Sequence, residues 1–224
     1  MREMMNAIFF VLRGGCPWRM LAGHFPPHQT VDRWFTRFRD DRTWERLNHL
    51  LVMQDRERVG PDASPSAAVI DSRSNKTTGA GGRRGYDAGK KINGRTRHAI
   101  LDTDSRGLKL QVHPASVQDR DRAIPLPRAS RALYTFIERA FADCAYAAER
   151  VANATRVIVE IVRKQVGQIG FAAHPRRWVV ERFFAWLGRN RRLTKDFEAT
   201  IPSATAFFCA ASVMLLTRRM ARSA

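Results

Sequence analysis

Three carboxylates stand where acids do chemistry. Asp71 ends the apolar run Ala67-Ala68-Val69-Ile70, which reads as a buried strand. Asp143 ends a second strand-like stretch, Tyr134 to Ala142. Glu181 falls in the first turns of a long helix that Pro175 can start, where a missing N–H costs nothing, and that runs to about Arg192. Ligands of open α/β sheets bind beyond the carboxyl ends of strands, so two acids at strand ends can converge there. Val180, Phe183, Phe184 and Leu187 make the apolar stripe of that helix. At about 100° per residue, Arg177, Glu181, Gly188 and Arg192 line one border of it. Three oxygen acids with no cysteine or histidine cluster suit Mg²⁺ (or Mn²⁺) rather than zinc. Two such ions about 3.5–4 Å apart activate a water or hydroxyl and stabilise the leaving oxygen of a phosphodiester. The bland alternative is that Asp at a strand end caps a turn and Glu early in a helix answers its dipole. Asp102, Asp104, Asp119 and Asp121 are competing acids.

The elements that must position these residues read as two regions. Residues 1–60 are helical. Met4, Ile8, Phe9 and Leu12 form one stripe ended by Gly14-Gly15; Thr30 can cap a second helix carrying Val31, Trp34, Phe35 and Phe38; Trp44, Leu47 and Leu51 carry a third. Arg33, Arg37 and Arg39 lie off the second stripe, compatible with a helix-turn-helix reader or with a plain bundle. Gly60 to Pro65 marks a linker. From residue 66 to 224 short strands take over: 67–70, 97–103, 108–113, 134–142 and 157–162, interleaved with short helices at 118–131 and 146–154 and closed by a helix at 205–219. Hairpin strands followed by alternating helices and strands describe a mixed α/β sheet covered by helices.

Composition narrows the partner. The chain of 224 residues has 39 basic side chains, only six of them lysine, and a net charge of +18. Such an excess of arginine favours a polyanion, because the guanidinium fork pairs bidentately with phosphate. Cys16, Cys144 and Cys209 are too scattered for a zinc finger or disulfide framework and read as reduced thiols. The longest uncharged apolar run, Ala204 to Leu216, has 13 residues, short of the ~20 of a membrane span. A cytoplasmic protein without a membrane partner is expected. Between Arg73 and Arg97 eight basic residues alternate with glycines, which predicts a flexible basic loop, either a solvated hairpin or one that wraps the phosphates of a nucleic acid; Lys76, Arg83, Arg84, Lys90 and Lys91 are its candidate contacts. No phosphate-loop motif occurs, so no nucleotide hydrolysis is expected. Trp178 and Trp186 lie off the core stripe of their helix, free to stack on a DNA end or to bury against the N-terminal helices, and His98 and His113 have no assigned role.

The segments Ala68-Val-Ile-Asp-Ser-Arg-Ser-Asn-Lys-Thr-Thr, Arg84-Gly-Tyr-Asp-Ala-Gly-Lys-Lys, Val117-Gln-Asp-Arg-Asp, Phe141-Ala-Asp and Arg176-Arg-Trp-Val-Val-Glu-Arg-Phe-Phe-Ala-Trp-Leu-Gly-Arg-Asn-Arg-Arg-Leu resemble bacterial insertion-sequence transposases of the DDE class. The likeness is to the IS4/IS5-like superfamily, in particular the group named after insertion sequence five. It runs from about residue 5 to the C-terminus. It implies a ribonuclease-H-like catalytic domain over 66–224 and an N-terminal helical region, 1–60, that contacts transposon ends. It puts the metal-binding acids on Asp71, Asp143 and Glu181, 72 and 38 residues apart, which leaves no room for a large inserted domain. The family's arginine ahead of the Glu matches Arg177; basic residues further along match Arg191, Arg192 and Lys195, expected on phosphates. The activity implied is metal-dependent phosphodiester hydrolysis and strand transfer by a homo-oligomer assembled on double-stranded DNA, both transposon ends and target. Two departures stand out: members usually carry one or two further helices before the segment matching Met1-Arg2-Glu3, and Cys144-Ala145 replaces the usual Gly-Gly after the second Asp. Both fit the alternative, a catalytically inactive DNA-binding remnant of a truncated transposase.

Overall fold

The structure, a computed structural model, describes residues 1–60, 64–79, 82–117, 125–142, 157–161 and 178–222. The sheet is organised by its longest strand, β3 (Ile92–Asp102), in which every residue from Gly94 to Asp102 is buried. One edge of β3 pairs antiparallel with β1 (Ala67–Lys76). Its other edge is shared between β2 (Gly85–Asp87), against its first residues, and β4 (Gly107–Pro114), against the rest. On the far side of β1, β5 (Arg139–Ala142) and β6 (Ile158–Ile161) add in parallel. Antiparallel hairpin strands followed by parallel ones, with helices on both faces, make a mixed α/β sheet consistent with a ribonuclease-H-like fold.

The strand period of two sorts the apolar residues into two cores. Val69, Ala99, Leu101, Leu110, Val112 and Phe141 face α5 (Trp178–Gly188) and α6 (Ile201–Ala221). Ala68, Ile70, Ile100, Leu108, Ala140 and Ala142 face Tyr134 and Ile137, which follow α4 (Pro125–Leu133). The three N-terminal helices, α1 (Arg2–Gly14), α2 (His28–Asp40) and α3 (Thr43–Val59), pack on α6 and share its core: Phe35 stacks on Phe207 with ring centroids 4.2 Å apart, and Trp18 at 5.9 Å. α1 stops at Gly15, whose φ of 72° only glycine adopts freely and whose N–H donates to Val11 O. α6 is capped by Thr200, which accepts from the Ser203 N–H. By length and composition α6 could cross a membrane, but 67% of it is buried inside the protein. Its apolar character is that of a core helix.

Several boundaries differ from the sequence reading. β1 continues through Lys76, so Asp71 lies within the strand rather than at its end. The second predicted strand begins at Ile92, not Arg97, which removes Arg95 and Arg97 from the loop. The stretch 134–142 is a strand only from Arg139, because α4 reaches Leu133 and the Tyr134 N–H donates to Ser130 O. α2 starts at His28, before Thr30, with no side-chain cap. The helix carrying Glu181 ends at Gly188, and Arg191–Leu193 forms a separate 3-10 turn. Asp119, Asp121, Asp143, Cys144, Ala145, Pro175, Arg177 and the helix expected at 146–154 lie outside the described residues.

Candidate catalytic groove and basic surface

Asp71 is half-buried, and its Oδ1 accepts from the Ser72 N–H at 2.7 Å. Because Val69 belongs to the core beneath α5, alternation puts Asp71, Arg73 and Asn75 on the same face. α5 lies along β1 on this face. Ser105 Oγ donates to Val179 O at 2.9 Å and fixes the start of the helix at the β3–β4 turn. At the far end Gly188 and Leu187 line a cavity of 230 Å³ together with Arg73, Asn75 and Arg97. Glu181 lies between these two points, exposed, on the helix flank that it shares with Gly188. Asp71 and Glu181 are thus carried by the sheet and by the helix that packs on that face of it.

β5 brings the chain toward the same groove. Its register with β1 is parallel, Ala67↔Arg139, Ala68↔Ala140 and Val69↔Phe141, and Phe141 shares the core under α5. The last described residue of β5 is Ala142, one before Asp143. Among the described residues no group of three or more histidines, cysteines or acids is gathered to hold a metal. The donors that are described, two oxygen acids, fit a hard divalent cation by type.

The expected basic contacts divide by location. Lys76, at the end of β1, Arg83 and Arg84, before β2, and Lys90 and Lys91, between β2 and β3, are all exposed. Lys90 Nζ lies 3.4 Å from Ser74 Oγ and 3.8 Å from Asp87. Ser72 and Ser74 belong to the sheet face opposite Asp71, so Lys90 is across the sheet from the acids. Arg191 and Lys195 are exposed beyond α5. Arg192 is not exposed in the same way: it pairs with Glu198 at 2.7 Å, donates to Cys16 O at 2.9 Å and stacks over Phe207.

Arg95 and Arg97 are structural ties rather than loop cations. Arg95 is fully buried, pairs with Asp196 at 3.1 Å and donates to the carbonyls of Arg83, Glu198 and Ala199. Arg97 donates to Leu193 O and Lys195 O, and burial lowers its pKa to about 10. These anchors bind the segment after α5 to β3. Their partners lie about a hundred residues away in the chain, and no local pattern marks them. Trp178 and Trp186 stack on Arg182, whose guanidinium is 4.0 Å and 5.1 Å from the two rings. The rings of His98 and His113 are 5.4 Å apart on neighbouring strands. Among the described residues Cys16 and Cys209 are free thiols, and burial pushes Cys209 up to about 12.

Residues 62–216 match the family model described as "Transposase DDE domain", and residues 1–48 match one described as "Putative transposase of IS4/5 family". No curated protein and no solved structure matches the chain significantly.

Proposed function

The chain belongs to the transposase DDE family, and from that premise we propose that it catalyses metal-dependent cleavage and strand transfer of DNA at a site formed by Asp71, Asp143 and Glu181. The observation that supports this assignment is the groove between β1 and α5, with Asp71 on the sheet face, Glu181 on the helix flank and β5 leading in parallel register to residue 143. These carboxylates would hold two Mg²⁺ or Mn²⁺ ions, which when bound would activate a water or 3′-OH and stabilise charge at the leaving oxygen. The protein's own part is positioning. The core under α5 packs the helix that carries Glu181 onto the sheet face that carries Asp71. Arg177, Arg191 and Lys195 supply phosphate contacts beside the groove, and Lys76, Arg83, Arg84, Lys90 and Lys91 a second set along the β1–β3 edge. Synapsis of two DNA ends calls for at least a dimer, working in the cytoplasm on the nucleoid. The separation of residues 1–60 from 66–224 is one of role: end recognition and catalysis, on a shared hydrophobic core.

The test is supercoiled plasmid with Mg²⁺ or Mn²⁺. The parent chain is expected to nick and join DNA, EDTA to stop it, and Asp71→Asn, Asp143→Asn and Glu181→Gln each to remove at least about a thousandfold of the rate, or roughly 4 kcal/mol of transition-state stabilisation, with DNA binding retained. Binding without cleavage by the parent chain would instead establish the inactive remnant.

A further inference from the structure

On the other flank of α5 lies a larger cavity, 520 Å³, enclosed by α5, α6 and the β3–β4 turn. Seven arginines line it against a single carboxylate, Asp104. Two of the seven are tied down: Arg106 pairs with Asp55, Asp102 and Asp104, and Arg219 with Asp55 and Asp104. The other five, Arg13, Arg182, Arg189, Arg218 and Arg222, form no ion pair among the described residues; the charge of Arg182 still reaches Asp104, and Arg13 Nη1 donates to Arg189 O at 2.9 Å. Arg182 is held in place all the same, sandwiched on Trp178 and Trp186 and donating to Ser105 Oγ at 3.0 Å.

Deeper in the cavity wall, two buried donors lack a hydrogen-bond partner among the described residues: Arg106 Nη2 and Ser212 Oγ, on residues only 3% and 1% exposed. Leaving such a group unmade costs about 1–3 kcal/mol, so each is a reason to look for a ligand. Asn190 Oδ1, also buried without a partner, is an acceptor and calls for a water instead.

We propose that this arginine-lined cavity binds phosphate groups of a nucleic-acid strand, at a place separate from Asp71 and Glu181. At about 100° per residue Arg182 and Trp186 project from a different flank of α5 than Glu181 and Gly188, and Arg189 follows in the turn after the helix. The chemistry is that of a phosphate oxyanion: forked guanidiniums at the rim and a hydroxyl and an arginine N–H below. A single free phosphate would leave most of the rim charge unmatched. Exposed Arg189, Arg218 and Arg222 extend the row outward, as successive phosphates along a strand require. That the strand is DNA rests on the function proposed above, whereas the anion site does not.

The test is binding of a labelled duplex of about 20 base pairs to the full chain in EDTA, where no cleavage intervenes. Arg189→Gln/Arg218→Gln removes two exposed cations with no carboxylate partner, and its melting temperature is expected to match the parent's. Affinity at about 0.1 M salt should fall roughly tenfold, and the slope of log K against log salt should become shallower by about two. Arg218→Gln/Arg222→Gln, which leaves the turn at Arg189 untouched, should do the same and serves if the first pair fails to fold. Titration with inorganic phosphate by calorimetry distinguishes the source. Loss of phosphate binding with DNA affinity and slope unchanged would make this a free-anion site and overturn the proposal. No change in either would overturn it entirely. Because the readout is binding without metal, failure of the catalytic assignment leaves this result standing, and the reverse holds too.

Discussion

Arg192 and Glu198 show how one residue's surroundings redirect its chemistry. Each side chain is only about a tenth exposed, and the pair closes a clasp from Glu198 to the carbonyl of Cys16 and the ring of Phe207. Burial raises the Glu198 pKa, and Arg192 opposes that shift by stabilising the carboxylate. The resemblance put Arg192 among the phosphate contacts, on the same helix border as Glu181. The helix ends at Gly188, however, and the 3-10 turn that follows points Arg192 inward. Arg192→Lys keeps the charge but not the planar fork. It should cost about 1.5–3 kcal/mol in urea unfolding, with the DNA affinity of the folded protein unchanged. Lower DNA affinity at unchanged stability would return Arg192 to the DNA surface. Asp71 and Glu181, by contrast, were legible as residues. An acid after three buried apolar residues, and a Glu on the border of a helix stripe, carry their context with them in the local sequence.

At the scale of elements, the pairing of β1 with β3 determines whether Asp71 is presented at all. Gly94 of β3 faces β1 with no room for a side chain: a Cβ there would collide with the carbonyl of Asn75. Gly94→Ala should force the strands apart there, costing about 1–3 kcal/mol. Cleavage should fall with it, because the displaced strand carries Asp71 four residues from Asn75 and on the same sheet face. Preserved cleavage in a folded Gly94→Ala protein would mean that the acid is held by β5 and α5 alone. This pairing was hidden in the sequence. Ser72 to Lys76 is polar and interrupts the apolar run, so the strand appeared to end at Asp71. The glycine-rich, basic stretch that follows read as a loop, because the groups that bury Arg95 and Arg97 come from residues 193–199. Local periodicity identifies strands that alternate with water on one side; it does not identify one whose charges are satisfied by a distant turn. The arginines of the second cavity were unreadable for the same reason, scattered as they are from Arg13 to Arg222.

For the whole molecule, the ends of the chain are joined through charge as well as through the core. Asp55 of α3 has no exposed side-chain surface and receives Arg58 at 2.7 Å, Arg106 of the β3–β4 turn at 2.6 Å and Arg219 of α6 at 3.0 Å. Burial alone would raise the Asp55 pKa, but the hydrogen bonds from Arg58 and Arg106, with the charge of Arg219, outweigh it and hold the carboxyl below its ordinary value. Asp104 is lowered in the same sense against burial, by Arg219 and Arg106. A carboxyl whose folded pKa lies below its unfolded one contributes its full stabilisation above the unfolded value, about 3.9, and loses it as the pH falls through the folded one. The melting temperature should therefore be flat near neutrality and drop below about pH 4. Asp55→Asn should lower stability at pH 7 by about 3–5 kcal/mol, because it leaves Arg106 buried and under-compensated. It should also flatten the acid limb relative to the parent. An acid limb unchanged by Asp55→Asn would assign that pH dependence to other carboxylates, among them Asp102, which pairs with Arg56 of α3 at 2.8 Å.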